Sequence, residues 1–176
     1  MKFKTDIGFS LLEVLCVIIL SLITISIAIF SINKFISMYY INTIAHQLMN
    51  DFYMARSKAI TLHKDIVISI NEYNSTLHSN GSYKIFIDDG SGGGIPNNWI
   101  QDGNERLLLS RVMPKEVKLY KSTFLYDKTG FQSNGTPLKQ RWGSIYLKGK
   151  HKFYKMTLIL TGRIKLYYSN NGINWQ

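Results

Sequence analysis

The last carboxylate of the chain is Asp127, and nine basic residues follow it. They are Lys128, Lys139, Arg141, Lys148, Lys150, Lys152, Lys155, Arg163 and Lys165. The whole chain carries 21 Lys and Arg against 11 Asp and Glu, a formal charge of +10, so the imbalance is concentrated at one end. A charge distribution of this kind points to a polyanionic partner, nucleic acid or anionic lipid. If residues 163–168 form a strand, Arg163, Lys165 and Tyr167 share one face and Ile164, Leu166 and Tyr168 the other. The apolar face belongs on the core, which leaves two cations and an aromatic ring exposed together. Lys148, Lys150, Lys152 and Lys155 come just before, with Phe153 and Tyr154 among them. Cations neutralise phosphates and rings stack on bases, the combination used for sequence-tolerant nucleic-acid binding. These residues, with Arg141, form the candidate set for a nucleic-acid partner.

Other chemistry is poorly represented. His46, His63, His78 and His151 lack the close spacing of metal ligands, and the single cysteine, Cys16, lies far from them in sequence. Ser57 and Ser69 have no nucleophile-elbow context. Asp88 and Asp89 open a Gly-rich stretch, but an EF-hand loop needs regularly spaced ligands and a closing glutamate. This stretch reads as a flexible loop. The expectation is a protein with no metal, no cofactor and no enzymatic activity.

The second informative stretch is Gly8-Phe9-Ser10-Leu11-Leu12-Glu13, which runs on almost wholly apolar to Ile32. Residues 9–32 number 24, about 36 Å of helix at roughly 1.5 Å per residue. A bilayer's hydrocarbon core is about 30 Å, so this segment is expected to be transmembrane. It is too long for the apolar core of a cleaved secretory signal, about 7–15 residues. Glu13 stands out within it. A charged side chain costs about 2.5–3.5 kcal/mol at the centre of a bilayer, less towards the interface, and marks a functional position. Lys2 and Lys4 precede the segment and only Lys34 follows closely, which favours a cytoplasmic N-terminus in the inner membrane and an exported C-terminal domain. With Cys16 in the span, that domain has no disulfide and relies on packing.

The elements that must position these residues follow from periodicity. Ile41, Leu48, Ala55 and Leu62 fall seven apart, with Ala45, Phe52 and Ala59 in a parallel row, so the helix is expected to continue from about 10 to 62 with an amphipathic second half. The period then drops to two. Strands are predicted at 65–70 and 83–87 around a turn containing Asn80-Gly81, and at 106–110, 117–120, 144–147, 156–160 and 163–168, the last two flanking Thr161-Gly162. The expected organisation is α+β: a leader at 1–8, a helix at 9–62 that packs on an antiparallel β-sheet domain at 63–176.

The head motif, a glycine, an aromatic residue and a glutamate five positions after the glycine, resembles the processing site of type IV pilins and type II secretion pseudopilins. Ala55-Arg56-Ser57-Lys58-Ala59-Ile60, Glu105-Arg106-Leu107-Leu108, Met113-Pro114 and Leu160-Thr161-Gly162-Arg163-Ile164-Lys165 resemble the GspH/FimT branch of minor pilins and pseudopilins. The resemblance implies that a prepilin peptidase cuts between Gly8 and Phe9 and that the Phe9 amine is methylated. It implies that Glu13 pairs with a neighbour's amine as subunits assemble, and that the partners are other pilin or pseudopilin subunits. In FimT-like pilins of competent bacteria a C-terminal Gly-Arg-x-Arg pattern is associated with DNA binding. Gly162-Arg163-Ile164-Lys165 is similar, but its lysine keeps the charge and loses the bidentate fork. The reading is a FimT-like minor pilin that binds DNA for uptake. The alternative is a GspH-like pseudopilin with a structural role alone.

Overall fold

The computed structural model describes residues 10–176, except the side chains at positions 28, 30, 31, 33 and 34. Gly8, Phe9, Lys2 and Lys4 lie outside the described residues. The chain divides into two compact units, Met1–Ile36 and Ser37–Gln176.

In the first unit, helix α1 (Leu11–Leu62) begins with Glu13 in its first turn. Its side chains are apolar and exposed on every side, from Leu11 through Val14, Ile18 and Leu22 to Ile27. The hydroxyls among them are not free. Ser21 Oγ donates to the Val17 carbonyl at 2.7 Å, Thr24 Oγ1 to that of Leu20 at 3.1 Å and Ser26 Oγ to that of Leu22 at 2.7 Å. These three hydroxyls are thus satisfied within the helix, as an apolar surrounding requires. Among the described residues no helix is long and apolar enough to cross a membrane. The expected span at 9–32 lies partly outside the described residues.

In the second unit, α1 turns one stripe inward. Ile41, Ala45, Leu48, Phe52, Ala55 and Ala59, spaced alternately four and three apart, are all buried. Leu62, expected on this stripe, is exposed because the helix ends there. The stripe packs on two four-stranded antiparallel sheets. The first runs in the order β3-β2-β1-β5, from β1 (Ile66–Asn71), β2 (Ser82–Ile87), β3 (Leu107–Val112) and β5 (Lys128–Phe131). The second runs β4-β6-β7-β8, from β4 (Lys118–Ser122), β6 (Gly143–Lys148), β7 (Phe153–Leu158) and β8 (Ile164–Ser169). The architecture is α+β, a helix packed on antiparallel sheets.

One cluster joins the helix stripe to Ile66, Ile68 and Ile85 of the first sheet and Ile145, Leu147, Met156 and Leu158 of the second. Val67 and Phe86 point the other way, into a smaller cluster with Trp99 and Leu138. The first sheet is therefore covered on both faces, which explains why Ile66, Val67 and Ile68 are consecutive apolar residues in β1. Its cover is the 88–105 segment, where the expected flexible loop is instead tied down by its own carboxylates. Asp88 accepts from the backbone amides of Asn97 and Trp99 at 2.7 and 2.9 Å, and Glu105 accepts from that of Gly90 at 2.9 Å. Carboxylates committed to backbone amides order the loop rather than gather round an ion.

A buried polar knot ties α1 to β2 and β3. Asp51 accepts from the Tyr83 hydroxyl and from Arg111 Nε, both at 2.6 Å. Burial first, and then the neighbouring Asp51, push the Tyr83 hydroxyl far above the usual tyrosine range, so it remains a donor.

Candidate functional site

The second sheet presents its two faces very differently. Ile145, Leu147, Tyr154, Met156, Leu158 and Ile164 are buried in the core. The residues between them point outward, and the strand register lines them up. Tyr146 lies opposite Lys155, and Lys155 opposite Tyr167; on the other edge Lys121 pairs with Tyr146. The result is one transverse row, Lys121-Tyr146-Lys155-Tyr167, in which cation and ring alternate across all four strands. Neighbouring strands are about 4.8 Å apart, so the row is about 14 Å long. A parallel row places Lys118 opposite Lys148, and Lys148 opposite Phe153.

The rings hold one another in place. Tyr146 meets Trp175 at 5.6 Å and Tyr120 at 6.0 Å between centroids, and Tyr120 meets Phe153 at 6.2 Å in an edge-to-face contact. Tyr120 reaches this face because the register slips between Leu119 and Lys121, a bulge that aims two successive side chains outward. Trp175 reaches it because residues 169–176 fold back. Tyr168 and Gln176 exchange both backbone hydrogen bonds at 3.0 Å, and Asn171 Oδ1 closes the turn by accepting from the amides of Ile173 and Asn174. Burial, then the nearby Tyr146, raise the Tyr120 hydroxyl above the usual tyrosine range, so it stays neutral.

The lysines lie over rings. Lys155 Nζ is 5.7 Å from the Tyr146 ring, 6.0 Å from Tyr167 and 6.0 Å from Trp175. Lys148 Nζ stands 5.6 Å above Phe153 and Lys121 Nζ 5.8 Å above Tyr146. Such contacts orient an ammonium without discharging it. The four strands carry five lysines and no carboxylate. Neither of the two ion pairs found among the described residues, Lys64–Asp89 and Arg111–Asp51, involves them.

The sequence-derived candidates are distributed over this unit rather than gathered at one point. Lys165 and Lys155 are on the outer face, half-exposed. Lys148, Lys150 and Lys152 cluster at one end of the sheet, around the β6–β7 turn. Arg163, exposed, lies at the opposite end, beside the β7–β8 turn. Arg141 is near that second end but is engaged elsewhere. Its guanidinium covers the Trp99 ring at 4.0 Å and donates to the Leu125 carbonyl at 3.0 Å, sealing the smaller core cluster. Tyr168, expected on the core, is exposed; it flanks Tyr154 at 6.5 Å with Lys152 Nζ 4.9 Å above its ring. Tyr120, Tyr146 and Trp175 were not singled out from sequence. Only the strand register and the bulge in β4 bring these three segments together.

The Thr161-Gly162 turn beside Arg163 has a structural duty of its own. Gly162 has φ +75°, and a Cβ there would stand 2.3 Å from the Gly135 carbonyl oxygen. Arg56 Nε of α1 donates to that same carbonyl at 2.9 Å. The helix, the 134–136 turn and the β7–β8 turn therefore meet at one point. Among the described residues, no group of three or more His, Cys, Asp or Glu side chains is placed to hold a metal.

No protein-family model matches the chain, and no curated protein matches it. Solved structures do. The type IV minor pilin FimU of Pseudomonas aeruginosa (strain PAO1), in two crystal forms, is 16% identical over 71% of this chain and 90% or 86% of its own, with TM-scores of 0.46 and 0.47. The minor pseudopilin EpsH from the type 2 secretion system of Vibrio cholerae is 10% identical over 72% of this chain and 95% of its own, with a TM-score of 0.45. The chain is similar to minor pilins and minor pseudopilins.

Proposed function

We propose that the chain is a minor type IV pilin, a binding and structural subunit rather than an enzyme. It is cut by a prepilin peptidase between Gly8 and Phe9, held in the inner membrane by residues 9–32 with its N-terminus cytoplasmic, and assembled with sister subunits. Its outward task is to bind double-stranded DNA, as a competence pilin does during uptake. One observation carries the DNA reading: the four strands of the second sheet bear five lysines and no carboxylate. Lys118 and Lys148 even stand directly opposite each other, an arrangement that is destabilising in a free antiparallel pair. A bound polyanion relieves that repulsion.

Processing is tested by mass spectrometry of the chain from its native membrane, which should begin at a methylated Phe9. An intact Met1 removes the pilin reading. DNA binding is tested with the full chain in a non-ionic detergent. Weak affinity for duplex of any sequence is expected, Kd about 10⁻⁴ to 10⁻⁶ M at physiological salt. Each phosphate contact adds about 0.9 to the slope of log affinity against log salt, so three or four contacts give a slope near three. Replacing Arg163 and Lys165 with glutamine should lower the slope by about two. Neutralising Lys84 and Lys115, outside the second sheet, serves as the control. Equal loss in both variants reduces the binding to net charge. No binding at low salt favours the GspH-like secretion pseudopilin, whose surface charge is incidental.

A further inference from the structure

We infer that the outer face of the second sheet is built for single-stranded nucleic acid and grips unpaired bases as well as phosphates. The inference rests on the reading that this surface takes DNA. Phosphate attraction needs only lysines, and lysines anywhere on an exposed surface supply it. The outer face has more. Cation and ring alternate along the Lys121-Tyr146-Lys155-Tyr167 row, and the rings of Tyr120 and Trp175 flank Tyr146 at 6.0 and 5.6 Å. Both flanking rings are brought there by dedicated local structure, the β4 bulge for one and the closed 169–176 turn for the other. Large half-exposed rings on a sheet face gain little from water and nothing from a duplex, whose bases are stacked on each other inside it. A single strand offers both partners at once, since its bases are free to stack on aromatic side chains while its phosphates meet ammonium groups. Lys155, within 6.0 Å of three rings, is placed for the phosphate between two stacked bases. Stacking tolerates any base, so no sequence preference is expected.

The experiment measures anisotropy of labelled oligothymidylate with the full chain in non-ionic detergent, beside a labelled duplex and with heparin as competitor. Oligothymidylate should bind about tenfold more tightly than duplex of equal phosphate number. Tyr146→Leu keeps an apolar strand residue and removes the ring; it should weaken oligothymidylate about tenfold and duplex by no more than about twofold, since the lysines keep their charge. Trp175→Leu, at the end of the tail, should reproduce the effect in a position whose loss spares the strands. Equal affinity for single strand and duplex, with neither variant altering it, overturns the inference and leaves the polyanion reading standing. So does displacement by heparin at equal charge with unchanged variants, because heparin has no bases. If neither nucleic acid nor heparin binds at low salt, the inference and the DNA reading fall together.

Discussion

Gly162→Ala is expected to destabilise the second unit by about 2–5 kcal/mol. Two costs add. A non-glycine residue held in the left-handed region at φ +75° costs about 1–2 kcal/mol. A methyl group placed 2.3 Å from the Gly135 carbonyl oxygen forces the two turns apart, and such overpacking typically costs about 1–3 kcal/mol. The strain cannot relax freely, because Arg56 holds the same carbonyl from the helix side at 2.9 Å. Urea denaturation of the full chain in detergent should show the midpoint falling with little change in slope. A change under about 0.5 kcal/mol would mean that the turns are not in contact. The result also bears on how the Gly-Arg-x-Lys pattern is interpreted. Loss of DNA binding in Gly162→Ala would report a displaced Arg163 and an unsettled β7–β8 hairpin, not a contact made by the glycine. Only the side chains of Arg163 and Lys165 can test binding directly.

Much of the fold could be read before the structure, and the misses share one cause. The four-three spacing of apolar residues from Ile41 to Ala59 announces the buried helix face, and the period-two runs announce β1, β2 and β8. The eighth strand, β5, escaped notice. It has four residues and contains Gly130, which no strand pattern favours, yet a Cβ there would strike the Ile66 carbonyl at 2.1 Å. The close approach of β1 selects the glycine, and sequence periodicity carries no trace of that approach. β7 begins at Phe153, three residues before the predicted start at 156, and this puts Phe153 and Lys155 on the sheet.

The candidate site was legible as chemistry and not as geometry. A cluster of cations after Asp127 is visible in one dimension. That Lys155 faces Tyr146 on one side and Tyr167 on the other depends on the register of three strands, to which no single segment contributes a signal. Arg141 shows the reverse. By composition it joins the basic cluster, but its guanidinium covers Trp99 and its charge is directed at the 88–105 side of the first sheet.

Glu13→Ala is expected to leave the chain in the membrane and to reduce its incorporation into sheared filaments at least tenfold. Within one subunit the glutamate has a modest role. It lies in the first turn of α1, exposed, with its amide donating to the Ser10 carbonyl at 3.0 Å. A carboxylate there favours the positive end of the helix by about 0.3–1 kcal/mol, which alanine forfeits without unfolding anything. Insertion should be unaffected or slightly improved, since the substitution removes a charge from an otherwise apolar segment. Assembly reverses the balance. On the proposed reading, cutting after Gly8 would leave the Phe9 amine as a cation that enters the filament with this apolar segment. In a packed filament core with little water, that cation requires a counter-charge, and the neighbour's Glu13 is the acid of this segment. Removing one member of a buried pair costs about 3–5 kcal/mol because the other is left uncompensated. That corresponds to a factor of about 100 or more at each junction, whereas Glu13→Gln, which keeps an acceptor for the amine, should lose less. The measurement is an immunoblot of membrane and sheared fractions from cells carrying each variant. Normal incorporation of Glu13→Ala removes the pairing role from Glu13. A fall in the membrane fraction would assign the residue to insertion. Loss confined to the sheared fraction, partly restored by glutamine, is the outcome that the amine–carboxylate pair requires.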